Sequence, residues 1–281
     1  MHVQRQTVGI LLALLVLGAC APPRRERMVT IKGSDTMVIL GQRWAENYMA
    51  KHPGAVIQVT GGGSGTGIAA LINGTTDLCQ SSRPIKADER DQLARVAGEP
   101  PHETVVARDG LAVYLHEANP VRSLTIAQLK DIYTGVVTRW RPLGGPDSPI
   151  VLYGRENSSG TYEYFKEHVL AKQDFAAAVQ TLPGTAAVVN AIARDPNGIG
   201  YGGAAYAKGV QECAIQRDAG SPAVLPGEAT VADGSYPIAR ALYFYTRRAP
   251  AGEIRAFVDY VLSAEGQAVV TQVGYYPVAQ P

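Results

Sequence analysis

Ile31-Lys32-Gly33-Ser34-Asp35-Thr36-Met37 is a short strand turning into a helix, and the chain makes the same move twice more. Val29–Lys32 reads as the strand. Thr36–Lys51 reads as the helix, with Met37, Leu40, Trp44, Tyr48 and Met49 recurring at the period of one buried helical face. The turn between them is built of helix-capping residue types. Val56–Thr60 then runs through Gly61-Gly62-Gly63-Ser64-Gly65-Thr66-Gly67 into a helix over Ile68–Asn73. Ile150–Tyr153 runs through Arg155 and Ser158-Ser159-Gly160-Thr161 into a helix over Ser159–Leu170. Strands alternating with helices predict an α/β fold with largely parallel sheets.

The rest of the chain fits that frame. Asp77–Gln80 reads as a strand followed by Ser81-Ser82-Arg83-Pro84, and Ala87–Ala97 as a charged amphipathic helix. Ser123–Tyr133, Phe175–Thr181, Ala186–Arg194 and Glu253–Val270 read as helices, and Gly198–Tyr201 as a strand. The apolar strands Leu111–His116 and Ala241–Thr246 bracket a middle block. They are the two crossovers if one domain is inserted into another.

A helix start carries backbone N–H groups without intrahelical partners and about half a positive charge. It is therefore a ready anion site, to which Ser and Thr hydroxyls add donors. Taken singly, each of the three turns is ordinary capping. Three of them at strand exits point to the carboxyl edge of an α/β sheet, where ligands bind. Arg155 lies four residues before Ser159 and can clamp two oxygens of a phosphate or sulfate in a fork. Arg83, after Ser81-Ser82, is placed to do likewise, or is a surface charge. Enzyme motifs are missing. The glycine run matches neither Gly-x-x-x-x-Gly-Lys-Ser/Thr nor Gly-x-Gly-x-x-Gly, and neither Ser64 nor Ser159 sits in Gly-x-Ser-x-Gly.

The N-terminus sets the compartment. A polar lead with one charge, Arg5, precedes ten apolar residues, Val8–Leu17, and then Leu17-Gly18-Ala19-Cys20. This is the plan of a signal peptide. The run is too short to span a bilayer, which takes about 20 apolar residues. The ending is similar to a bacterial lipobox, with residues 1–19 removed, Cys20 lipidated and residues 20–27 a polar tether. The alternative is a plain leader with an incidental Cys. The whole chain holds 26 Lys+Arg and 25 Asp+Glu, and the leader takes away Arg5 and no acid. The remainder is thus formally neutral and is not tuned for nucleic acid. Of three cysteines, Cys79 and Cys213 remain. An exported setting permits a disulfide between them, and two separate small apolar side chains is the other reading. No Cys-x-x-Cys or His cluster suggests a metal, since His2, His52, His102, His116 and His168 are scattered.

On Ile31–Met37, Gly61–Pro84, Arg155–Thr161 and Asn197-Gly198-Ile199-Gly200-Tyr201, taken in order, the chain resembles the periplasmic phosphate-binding proteins of bacterial phosphate ABC transporters, the Pst type. The resemblance covers about Thr30 to Pro277. It implies a type II periplasmic binding fold, with two α/β domains joined by two crossing strands and a ligand cleft between them. Here residues 28–115 with 243–281 would form domain 1, and 116–242 the inserted domain 2. It implies a monomeric solute-binding protein without catalytic residues, metal or cofactor, which binds inorganic phosphate and delivers it to the permease of an ABC importer from a lipid-anchored position in the periplasm or cell envelope. The binding residues carried over are Ser34, Asp35, Thr36, Ser64, Arg155, Ser159, Gly160 and Thr161, to which Ser82, at an aligned position, and Arg83 beside it are added. One departure stands out. Well-known members place an Asp where this chain has Ser82, and that carboxylate accepts the proton of hydrogen phosphate and so rejects sulfate. Ser82 accepts more weakly. Asp35 is then either the substitute acceptor or a helix cap. A general oxyanion binder and a phosphate sensor with the same fold are the alternative functions.

Overall fold

The computed structural model describes residues 28–278, so the leader, Cys20 and the tether lie outside the described residues. β1 (Val29–Gly33) buries Val29 and Ile31 and ends in a 3-10 turn, Asp35–Met37, that continues as α1 (Val38–Lys51). β2 (Ile57–Thr60), α2 (Ser64–Asn73), β3 (Leu78–Ser81) and α3 (Ala87–Ala97) follow. β1 lies between β2 and β3 and is parallel to both. Leu40, Trp44 and Tyr48 face this sheet as their spacing predicts, and the Trp44 indole N–H donates to the carbonyl of Gly266 at 2.7 Å.

β4 (His102–Leu115) then spans the molecule. β5 (Ser123–Thr125), α4 (Ile126–Tyr133), β6 (Val151–Arg155), α5 (Gly160–His168), β7 (Gln180–Leu182), α6 (Gly184–Ile192), β8 (Gly198–Gly203), β9 (Gln211–Gln216) and α7 (Glu228–Ala232) make up the middle block. β10 (Ala239–Thr246) returns, and α8 (Gly252–Leu262) and α9 (Ala264–Val273) close the chain. The strands hydrogen-bond in the order β2-β1-β3-β10-β4-β8-β6-β7, with β9 paired to β4 and β5. β4 pairs with β10 over 102–110 and with β8 over 111–115. Two main hydrophobic clusters lie either side of that change of partner. One holds Val29, Ile31, Trp44, Val106, Leu242, Phe244 and Phe257; the other holds Leu111, Tyr133, Trp140, Phe165, Tyr201 and Ile238.

At the crossing, Asp109 and Arg240 face each other across the ladder, both buried. Arg240 donates from Nε and Nη2 to Asp109 Oδ2 at 2.9 and 2.7 Å, and the Ala204 N–H donates to Asp109 Oδ1 at 3.2 Å.

The fold is α/β, with four corrections of detail. The sheet is mixed rather than largely parallel, because β10 must run back against both β3 and β4. Phe175–Thr181 is not a helix. Phe175 stands among Tyr133, Tyr162, Phe165 and Tyr201 as an aromatic plug, and β7 begins at Gln180. Ser123–Tyr133 opens as a strand, and Thr125 caps α4 by accepting the Gln128 N–H at 3.0 Å. The closing helix breaks at Ser263, whose hydroxyl caps α9 through the Gly266 N–H at 3.2 Å. Cys79 and Cys213 are free thiols in different clusters, and burial pushes both above the ordinary thiol range.

Candidate functional site

The site grows from three strand exits. After β1, Ser34 leads the 3-10 turn, its N–H donating to the Gln80 carbonyl at 2.8 Å. After β2, Gly63 adopts φ +92° and places Ser64 at the first position of α2. No side chain caps either start. After β6, Ser159 caps α5, its hydroxyl accepting the Thr161 and Tyr162 N–H groups at 3.2 and 3.3 Å.

These starts converge. Ser34 Oγ donates to Ser82 Oγ at 2.8 Å, and the Ser82 N–H donates to Ser64 Oγ at 3.1 Å. The hydroxyls of Thr36 and Thr161 share a hydrogen bond of 2.8 Å. Gly160 lies so near that a Cβ there would stand 2.3 Å from Ser64 Oγ and 2.7 Å from Ser82 Oγ. The Gly65 N–H at the start of α2 donates to the Ser158 carbonyl at 2.9 Å. Ser34, Thr36, Ser64, Ser82, Ser159 and Thr161 are all buried, so seven of the ten residues singled out in the sequence, Gly160 included, form one enclosed polar cluster. Small hydroxyls both donate and accept, and unpaired helix-start N–H groups only donate. The arrangement can replace the water shell of a small anion without a net positive charge.

Arg155, the eighth, is 2% exposed. Its Nη1 donates to Thr185 Oγ1 at 2.9 Å and its Nη2 to Asp35 Oδ2 at 2.8 Å; Nε and Nη2 also reach Glu156 at 3.3 and 3.1 Å. Burial opposes the charge on Glu156, but the hydrogen bond and charge of Arg155 outweigh it and hold that carboxyl below its ordinary range. Asp35, the ninth, accepts the Gly62 N–H on Oδ1 at 2.9 Å while Oδ2 takes Arg155. It caps no helix; it ties down the loop before α2 and links the two sides by an ion pair. The tenth, Arg83, is buried and tied to a carboxylate of α3. Its Nη1 and Nη2 meet the two Glu89 carboxylate oxygens at 2.8 and 2.6 Å.

Thr185, Glu156 and Tyr206 also shape the site and were not singled out. The Tyr206 hydroxyl donates to the Asp35 carbonyl at 2.7 Å. Thr185 had a signal in Gly184-Thr185 opening a helix, and Glu156 in its place beside Arg155. Nothing local marks Tyr206.

Two α/β cores sharing a pair of strands, with helix starts from both meeting over a buried hydroxyl cluster, define a solute-binding protein of the periplasmic type. A family model described as a PBP superfamily domain matches residues 19–265, and the phosphate-binding protein PstS of Pseudomonas aeruginosa is 37% identical over 262 residues, covering 87% of this chain and 81% of that one. The chain belongs to the PstS family of phosphate-binding proteins within that superfamily. PstS of Staphylococcus epidermidis is 33% identical over 260 residues, covering 89% of this chain and 78% of that one. Among solved structures, a phosphate ABC transporter substrate-binding protein with bound phosphate from Clostridium perfringens aligns with a TM-score of 0.82 at 30% identity, covering 90% of this chain and 100% of that one. An ABC-type phosphate transport receptor from Vibrio cholerae aligns at 0.72 and 26% identity, covering 89% and 100%.

Proposed function

We propose that the protein binds inorganic phosphate, without turnover, in a cleft between two domains, 28–115 with 243–281 and 116–242, and delivers it as a monomer to the permease of an ABC importer. The observation that carries this is the enclosed cluster of hydroxyls with Arg155 at its edge, in a chain whose relatives are named for phosphate. Ser34, Thr36, Ser64, Ser82, Ser159 and Thr161 give hydroxyls, and Thr36, Ser64 and Gly160 give helix-start N–H groups. Arg155 supplies the charge that faces the anion. Asp35, the carboxylate linked to Arg155, is the acceptor for the phosphate proton in place of the missing Asp at position 82. Arg83 acts one layer out, through Glu89. The leader that ends just before Cys20 supports an extracytoplasmic protein tethered by lipid, and among the described residues no helix is long and apolar enough to cross a membrane.

Ser82 favours one second reading, a general oxyanion binder, because a serine hydroxyl does not repel sulfate as a carboxylate does. Calorimetric titration of the chain from residue 21, stripped of anion, separates the two. Phosphate binding at micromolar or tighter Kd that persists in excess sulfate is the expected result; equal affinity for both ions selects the second reading, and silence for both overturns the first. Arg155→Ala should weaken phosphate at least about a hundredfold, since it removes a charge-assisted donor and leaves Asp35 and Glu156 facing the anion.

A further inference from the structure

We infer that Tyr206 is a positioning residue for the anion site: its hydroxyl fixes the turn after β1 only while the two sides are together, and so sets how long a bound anion is held. The inference rests on the binding reading above. The turn Ser34–Met37 contributes two of the hydroxyls, and its three leading carbonyls are all held by neighbours. Ser34 C=O accepts the Met37 N–H at 3.0 Å and the Gln80 side-chain amide at 3.1 Å. Thr36 C=O accepts the Tyr275 hydroxyl at 2.5 Å, and Asp35 C=O accepts the Val38 N–H within the turn and the Tyr206 hydroxyl at 2.7 Å. A peptide unit is planar and trans, so its C=O and N–H point in opposite directions. Holding the Asp35 carbonyl therefore aims the next N–H, that of Thr36, the other way. Thr36 is the residue whose hydroxyl meets Thr161 from the opposite side.

The two tyrosines differ in origin. Tyr275 belongs to the same hydrophobic cluster as β1, so its bond survives opening. Tyr206 follows β8 and packs with Tyr114, Val188 and Ile192 on the other side, while Ala205 beside it lies against the first core. Its segment is anchored beyond the turn: the Gly203 carbonyl accepts the Tyr114 hydroxyl at 2.5 Å and the Ala204 N–H donates to Asp109. The Tyr206 bond is thus made on closing and broken on opening, and it acts on the same residue, Asp35, that Arg155 holds by its side chain. Burial first, with the Asp35 charge adding and the Ile39 N–H opposing, pushes the Tyr206 phenol up to about 12, so it remains a donor at neutral pH.

Stopped-flow association and dissociation of phosphate, with melting curves of the anion-free protein, test this in the chain from residue 21. Tyr206→Phe should speed dissociation about fivefold, the worth of one neutral hydrogen bond. Its association rate and anion-free melting temperature should match wild type. Tyr236→Phe is the control, because its hydroxyl donates to the Leu111 carbonyl at 2.7 Å within one side. It should lower the melting temperature and leave dissociation unchanged. A wild-type dissociation rate in Tyr206→Phe overturns the inference. So does a fall in its anion-free melting temperature equal to that of Tyr236→Phe, which makes the hydroxyl a plain structural bond. A wild-type chain that binds no phosphate fails on the binding reading itself, and is seen before any variant is compared.

Discussion

Arg155 is a cation between two carboxylates, Asp35 and Glu156. The charge around the guanidinium is already met before an anion arrives, so capture depends on directed donors rather than on net attraction. Glu156 also links this site to acid stability. Its folded value is lowered, so its contribution is present above its unfolded value, about 4.3, and is lost as pH falls through the folded value. Melting temperatures measured from pH 6 down to pH 3 should fall in that lowest range, and Glu156→Gln should flatten the fall. At this scale the sequence shows whatever depends on local grammar. Ser64, Ser159 and Thr161 follow strands and begin helices, and that is legible. Arg83 and Arg155 each stand near a Ser-rich turn, yet Arg155 bonds Asp35 across the site while Arg83 bonds a helix of its own side. The difference lies six residues on, where Glu89 takes both terminal nitrogens of Arg83. Tyr206 is hidden because its role exists only where two distant segments meet.

Helix starts do their work here by close approach. Gly160 opens α5 against Ser64 and Ser82, where there is no room for a Cβ. Gly160→Ala should leave the anion-free melting temperature near wild type, because alanine suits a helix start and the collision exists only on closing. Phosphate affinity should fall about 10- to 100-fold, the range that overpacking costs; titration of the variant beside wild type measures it. Element legibility follows the same physical divide. α1 shows itself through the period of Leu40, Trp44 and Tyr48, all buried as that period requires. The first nine residues of β4 do not, because His102, Glu103 and Arg108 are exposed polar side chains on a strand whose ladder partner, β10, lies more than a hundred residues away. Phe175 belongs to an aromatic cluster that needs no helix to place it.

In the whole molecule, the crossing of β4 and β10 carries a buried ion pair, Arg240 with Asp109, between the two main cores. Arg240→Leu would strand the Asp109 carboxylate, which burial already pushes above its ordinary range against the pull of Arg240. The expected loss is about 3–5 kcal/mol in urea unfolding, largely restored when Asp109 is made apolar as well. The same crossing governs the order in which the chain can fold. The buried residues of the core around Tyr133, Phe165 and Tyr201 lie between Leu111 and Ile238, and of later residues Ala239 and Tyr276 pack against its edge. The core around Trp44 must wait for Phe244, Phe257 and the Gly266 carbonyl, 200 residues or more after Trp44 itself. Such distant pairings form late and slowly. The part of the chain made first is therefore the part finished last, and a chain stopped short of Gly266 would carry a closed second core on an open first one.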